Sequence, residues 1–402
     1  MHATSQRGSG QRWGLVLLVS LWITTIWIGS DMYLPALPLM DEALGTSERL
    51  VNVTLMAFNL SAPIGSIIGG PLSDKFGRFW PTSVGNAAFL LGNVACALAP
   101  TVGALIAFRI VAGLGGGVVM ATIMAILKDS LEGEYLDKAV TVTQSLAIVG
   151  PIAAPFLGSL MIGLVGWRGI FWLLAILGAF FSIAYVRVGE TLVVEKRAQV
   201  GLLGALGLIV QVGRNRSFMV LLIALCLPAM CFGVFMTACS YVYLDEFAVT
   251  YVEYSFLYAA TSVVSIIAPF AFVALRKRQG NRRSIWVCVV LLALSGLWLL
   301  ALGGMGPLAF LAGTFPFALA EGMARPCAFL VLLRAEDKRV GSASALISFV
   351  LGILVGLGTP IASLGWPNHV VALGMPTLIA ALLAAALFSL LLFVMKSHIV
   401  DD

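Results

Sequence analysis

Gly70-Pro71-Leu72-Ser73-Asp74-Lys75-Phe76-Gly77-Arg78 is a short, charged, glycine-punctuated link between two long apolar stretches, residues 51–70 and 82–99. Each stretch has the length, roughly 17 to 25 residues, that a helix needs to cross the hydrocarbon core of a bilayer. A link this tight makes the two helices antiparallel neighbours. Its order of Gly, acid, base, Gly and base exceeds what a connector needs. Asp74 can cap a helix start or pair with a basic group, which would lock the chain closed on that side. The plainer reading of the link is a determinant of topology alone.

The whole chain has the character of these two stretches. Of 402 residues, 60% are hydrophobic and 11% are charged, with a mean hydropathy of +1.02. A soluble domain carries about 25% charged residues, so the composition excludes a water-soluble fold and points to a polytopic, all-α membrane protein. The six cysteines all lie in apolar stretches without CxxC pairs. They read as small buried hydrophobes, and neither disulfides nor a metal site is expected. The first span reads as a membrane helix and not a cleaved leader, because it carries Asp31 and no small-residue cleavage site follows.

Twelve spans can be read, at about 14–38, 51–71, 82–99, 101–127, 139–164, 167–186, 217–243, 253–275, 284–303, 307–333, 340–364 and 370–395. Their links divide the basic residues unequally. Twenty of the 24 Lys and Arg fall on one set of links, only Arg49 and Arg168 on the other, and Arg109 and Arg325 within spans. By the positive-inside rule both termini are cytoplasmic. The net charge of +5 is this bias, so no nucleic-acid partner is implied. Residues 193–216 form a long inner segment between two sets of six spans, giving domains 1–192 and 217–402 joined by a cytoplasmic linker. The weakly apolar stretch 202–212 in that linker suits an interfacial helix. Leu72-x-x-Lys75-x-Gly77 returns as Leu275-x-x-Arg278-x-Gly280, each between the second and third span of its half, as expected of repeated halves.

Charges within spans are costly, at least about 2.5 kcal/mol each on insertion scales. Counting along ideal helices at 1.5 Å per residue puts Asp31 roughly 10 Å and Arg109 roughly 12 Å below the outer ends of the first and fourth spans. The two can face one cavity. A buried carboxyl beside a cation is suited to carry a proton; the plain alternative is a structural pair, or Asp31 capping a helix kinked by Pro35 and Pro38. Glu321 and Arg325, at i and i+4, share a face and can neutralise each other, and Pro326 should kink their helix. They also stand as a second titratable group or a charge that selects substrate. Trp27, Tyr33, Phe58 and Asn59 are candidate cavity residues, with plain core packing the competing reading. Gly113–Gly117 is no phosphate loop: no Lys-Ser/Thr follows, and close helix packing accounts for it.

The link Gly70–Arg78, and within it Gly70, Asp74, Lys75, Gly77 and Arg78, resembles the signature of the major facilitator superfamily, G-x-L-a-D-[RK]-x-G-[RK]-[RK], departing from it at Phe79. Leu105-x-x-x-Arg109-x-x-Ala112-Gly113-x-Gly115 resembles the fourth-helix motif of the drug:proton antiporter branch, close to the Bcr/CflA type, with Ala112 where that branch has Gln. Gly150-Pro151-Ile152-Ala153-Ala154-Pro155-Phe156-Leu157-Gly158 is similar to its antiporter motif, with departures at Ala153 and Ala154; Pro and Gly there suit a bent packing hinge. Asp31-Met32-Tyr33-Leu34-Pro35-Ala36-Leu37-Pro38 resembles the branch's segment closing helix 1, Gly166–Trp172 its entry to helix 6, and Glu190-Thr191-Leu192 the end of its first half. Some members carry a further carboxylate where this chain has Ile23. The resemblance is dense over 28–192 and thin beyond 217.

It implies two six-helix bundles and a proton-driven exporter of small lipophilic compounds in a bacterial inner membrane. Asp31 would be the proton carrier, Arg109 would be implicated in coupling, and Glu321 is a further candidate. The expected partners are a small-molecule substrate, protons and the lipid bilayer, the expected state a monomer, and the drive a proton gradient with no cofactor. A transporter of a physiological metabolite is the alternative, with Arg109, Glu321 or Arg325 binding substrate. An enzyme is not expected, since His2, His369 and His398 are scattered and no catalytic groups cluster.

Overall fold

A computed structural model of the chain describes residues 9–198, 201–335 and 339–394. His2, Arg7, Lys338, Lys396 and His398 lie outside these. The described residues are all-helical. The α-helices are α1 (Ser9–Asp31), α2 (Leu37–Leu44), α3 (Glu48–Phe76), α4 (Phe79–Leu98), α5 (Val102–Ser130), α6 (Gly133–Val188), α7 (Leu202–Gly213), α8 (Arg216–Tyr241), α9 (Tyr251–Leu302), α10 (Pro307–Ala335), α11 (Val340–Gly358) and α12 (His369–Ser389). Among the described residues, nine helical stretches are long and apolar enough to cross a membrane. Two helices are interrupted: α6 leaves helical geometry at Gly166 and α9 at Gly280. With these breaks counted, there are between nine and twelve apolar helices among the described residues. Leucine, isoleucine and phenylalanine side chains such as Leu91, Phe180, Ile183 and Phe270 stand exposed, as on a multi-pass membrane protein.

The first span departs from the continuous helix expected over 14–38. α1 stops at Asp31, a 3-10 turn follows at Leu34–Ala36, and α2 restarts at Leu37. Pro35 has no N–H to give and disfavours helix in the residue before it. Asp31 is therefore a helix-terminal residue, and a depth counted from Pro38 along one helix does not apply to it. Pro316 and Pro326 lie inside α10 without ending it. The stretch expected to suit an interfacial helix is helical, as α7.

The chain groups into two compact units, one of Met1–Ala36 with Ala57–Gly204, the other of Leu37–Met56 with Ala205–Asp402. In the first, glycines bring backbones together. A Cβ at Gly117 would lie 1.9 Å from Ala62 O on α3, and one at Gly115 would lie 2.3 Å from Gly85 O on α4, so the Gly113–Gly117 run is a packing seam. Trp22 Nε1 donates to Asn86 Oδ1 (2.9 Å), and Asn86 Nδ2 donates to Gly178 O (2.8 Å), joining α1, α4 and α6. In the second unit, Phe218, Leu222, Phe272, Met323, Leu332, Ile347 and Phe388 form part of one apolar core.

Candidate functional site

The first unit holds a fully buried cation. Arg109, on α5, has 0% exposure. Its guanidinium carbon lies 4.1 Å from the ring centre of Phe58, 4.6 Å from Tyr33 and 5.8 Å from Phe171. Three aromatic faces offer a buried charge electrostatic compensation without a carboxylate. Nη1 donates to Gly29 O at 3.3 Å, two residues before the buried Asp31. Among the described residues, Nε and Nη2 have no hydrogen-bond partner. Asn59, on α3, accepts from Ser30 Oγ at 3.1 Å, and its Nδ2 also has no hydrogen-bond partner among the described residues. The end of α1 thus meets α3, α5 and α6 around one cation. Of the residues read as cavity candidates, Tyr33, Phe58, Asn59 and Arg109 belong to this cluster with Asp31. Trp27, on α1, is 38% exposed.

Glu321 and Arg325 lie in the second unit and form an ion pair along α10. Glu321 is 4% exposed, and Arg325, with 43% of its side chain exposed, sits 5.6 Å from the ring centre of Phe232. The pairing expected from their spacing is present. It leaves the half-exposed guanidinium near an aromatic ring.

The α3–α4 link is a built cluster. Arg78 pairs with Asp74 and donates from Nε to Asp129 Oδ2 (2.7 Å) and from Nη1 to Ser73 Oγ (2.9 Å). Burial pulls the Arg78 guanidinium down, and the hydrogen bonds and charges of Asp129 and Asp74 more than offset this. Glu190, beyond α6, accepts from the backbone N–H groups of Arg78 (2.7 Å) and Phe79 (3.3 Å) at the start of α4. Gly77 takes φ +92°, and a Cβ there would lie 2.1 Å from Glu190 Oε2. Burial pushes the Glu190 carboxyl up, but the N–H groups of Leu192, Arg78, Phe79 and Thr191 outweigh it and hold it below the usual range. Lys75 takes no part in this pairing; its Nζ lies 5.4 Å from the Phe76 ring centre. Gly70 meets nothing where a Cβ would stand. Sequence reasoning missed Asp129 as a partner and Glu190 as the cap, because they are 51 and 112 positions from Arg78. Both are acids beside helix ends, which was the only local signal.

On α6 the helix keeps its geometry through Gly150, Pro151, Pro155 and Gly158 and departs at Gly166. The side chain of Pro151 lies outside the described residues. A Cβ on Gly158 would lie 1.9 Å from Met32 O, so this segment packs against the end of α1, immediately beside Asp31.

The model of the Major Facilitator Superfamily matches residues 19–360. An uncharacterized MFS-type transporter of Bacillus subtilis, YdgK, is 26% identical over 359 residues, covering 88% of this chain and 89% of its own. The multidrug resistance protein MdtL of Escherichia coli O81 is 31% identical over 150 residues, a match that spans only 38% of that protein. In fold, the chain is similar to the nucleoside transporter NupG, with TM-score 0.76 at 14% identity over 95% of this chain and 99% of that one. It is also similar to the peptide transporter POT, with TM-score 0.74 at 16% identity over 99% of this chain and 98% of that one. A family model covering most of the chain, an all-helical apolar fold shared with solved transporters, and a charged link of the family's pattern lead to one conclusion: the chain belongs to the Major Facilitator Superfamily and is a membrane transporter, not an enzyme.

Proposed function

We propose that this transporter is a proton-driven exporter of small lipophilic compounds across a bacterial inner membrane. It works as a monomer with twelve crossings in two bundles of six and with both termini cytoplasmic. The observation that carries the reading is the Arg109 cluster. A buried guanidinium set against Phe58, Tyr33 and Gly29 O holds positive charge beside the end of α1, where Asp31 stands. A fixed cation favours the ionised form of a nearby carboxyl, and burial opposes it. Asp31 can then gain and lose a proton as its surroundings change. Proton uptake from outside favours substrate release; proton loss to the inside favours substrate binding. A gradient drives exchange because each state differs in affinity for proton and cargo. The unpartnered donors Asn59 Nδ2, Arg109 Nε and Arg109 Nη2 supply polar points in an otherwise aromatic wall. The Asp74–Arg78 link is the part that locks the cytoplasmic side. The name of the relative MdtL supports drugs as the cargo.

A second reading rests on Arg325. Its half-exposed guanidinium over Phe232 suits a planar anionic or amide group, and would make the cargo a specific metabolite. The deciding experiment is export of a drug panel into inverted vesicles with an acid interior, with wild type and Asp31→Asn compared. Gradient-driven accumulation by wild type, and none beyond equilibration by the variant, is expected. Accumulation by Asp31→Asn would refute the role of Asp31, and no uptake by wild type would refute drug export.

A further inference from the structure

His369 opens α12, and carboxylates hold its ring from both sides. Nδ1 lies 2.8 Å from Glu246 Oε1, beyond the end of α8, and Nε2 lies 3.1 Å from both oxygens of Glu48, the first residue of α3. All three residues belong to the second unit. A carboxylate only accepts hydrogen bonds, and a neutral imidazole has a single N–H to give. The arrangement therefore needs one proton more than a neutral ring and two carboxylates carry. That proton sits on the ring, the most basic of the three groups, and is held there by both carboxylates.

The surroundings keep Glu48 an acceptor. Tyr241 donates to Asn52 Oδ1 (3.2 Å), Asn52 donates to Ser363 Oγ, and Ser363 donates to Glu48 Oε1 (2.9 Å). The backbone N–H of His369 donates to Glu246 Oε1 at 2.6 Å. The Tyr241 ring stacks on the imidazole, with centres 4.9 Å apart and planes at 16°. The charged groups facing the ring are Glu48 from α3 and Glu246 and Asp245 from beyond α8, with Asp41 of α2 acting on Asp245. Each adds negative charge around this proton.

We propose that His369, Glu48 and Glu246 form a proton-binding site, separate from Asp31 and Arg109, whose proton ties the starts of α3 and α12 to the end of α8. The site exchanges with solvent, since the side chains of His369, Glu48 and Glu246 are 23%, 29% and 25% exposed. It is occupied in acid and empties as pH rises through its titration. An empty site leaves two carboxylates facing a neutral ring, and the three helix ends are freed. Only the consequence for transport, that parting these ends requires release of this proton, rests on the exporter reading.

The test uses full-length, histidine-labelled protein in lipid nanodiscs without any substrate. The chain has three histidines, so His369→Gln assigns the nitrogen resonances of His369. At pH 7.5, where a free imidazole is largely neutral, both nitrogens of His369 should be protonated in wild type, and one should lose its proton in Glu48→Gln or Glu246→Gln. A neutral, singly protonated ring in wild type would overturn the proposal. Hydrogen exchange gives a second readout. Relative to intrinsic rates, residues 48–52 and 369–373 should lose protection about tenfold, the loss of one charge-assisted bond, when the pH passes the titration of the site or in His369→Gln. Protection that ignores both changes also overturns it. Neither readout needs export, so a failure of the drug reading leaves this result standing.

Discussion

Glu190 and Gly77 hold the start of α4 as a pair: the carboxylate collects the N–H groups of Arg78 and Phe79, and the glycine lets it come that close. Gly77→Ala should cost about 1–2 kcal/mol from the positive φ alone, and more from the carboxylate its Cβ would displace. Thermal melting in detergent should show the loss, while Gly70→Ala, with open space at its Cβ, should melt like wild type. Glu190→Gln should cost about 1–2 kcal/mol at neutral pH, as a neutral amide replaces a charged acceptor. The sign with pH follows from the depressed carboxyl. Its contribution is full above the unfolded carboxyl value, about 4.3, and is lost as pH falls through the lower folded value. Melting curves of wild type and Glu190→Gln should therefore converge in acid and part towards neutrality. Curves that stay equally separated at every pH would put the stabilisation elsewhere than the carboxylate charge.

At the scale of elements, the long apolar helices were legible because a bilayer demands long apolar runs and leaves the charges to the links. The echo of residues 72–77 in residues 275–280 has a counterpart in the backbone. Gly77 and Gly280, matched by an offset of 203 in the sequence, take φ +92° and +77° respectively, a backbone region that L side chains resist. The expected pairing of Glu321 with Arg325 was equally local. What the sequence hid lies between elements. Nothing near Arg109 names Phe58, Tyr33 and Gly29 as its neighbours, nothing near Arg78 names Asp129, and His369 read as one of three scattered histidines. Such partnerships depend on which helix faces meet, and period 3.6 alone does not order the faces of helices that are apolar all round. Hydropathy runs on across the break after Asp31, and only Pro35 and Pro38 signalled it. The contact of Gly158 with Met32 O makes the packing of α6 on that break testable. Gly158→Val should destabilise by about 1–3 kcal/mol or more through overpacking and also disturb transport, whereas Gly163→Val, with nothing within 4 Å of its Cβ, should do neither. Stability and transport assays on the two variants check this.

For the whole molecule, the exporter reading makes a claim about exchange that loss of activity alone does not test. If the proton on Asp31 is what links cargo to the gradient, a side chain fixed in one state breaks the link and not the passage. Asn at position 31 resembles the protonated acid: neutral, similar in size, and unable to ionise. A transporter so fixed can still bind cargo on either face and let it cross, but no affinity change couples to a proton. Asp31→Asn vesicles should therefore fail to concentrate drug under an imposed pH gradient. They should still equilibrate labelled drug against unlabelled drug, at a rate within about tenfold of wild type, a change in barrier of about 1.4 kcal/mol. Glu321→Gln, which breaks the α10 ion pair in the other unit, should keep gradient-driven uptake of neutral drugs and change only the ranking of charged ones. If Asp31→Asn loses exchange as well as accumulation, Asp31 supports the fold or binds cargo directly. If Glu321→Gln loses accumulation while keeping exchange, the proton is carried there instead. The two measurements together separate coupling from conduction, which follow from the same folded chain but depend on different residues.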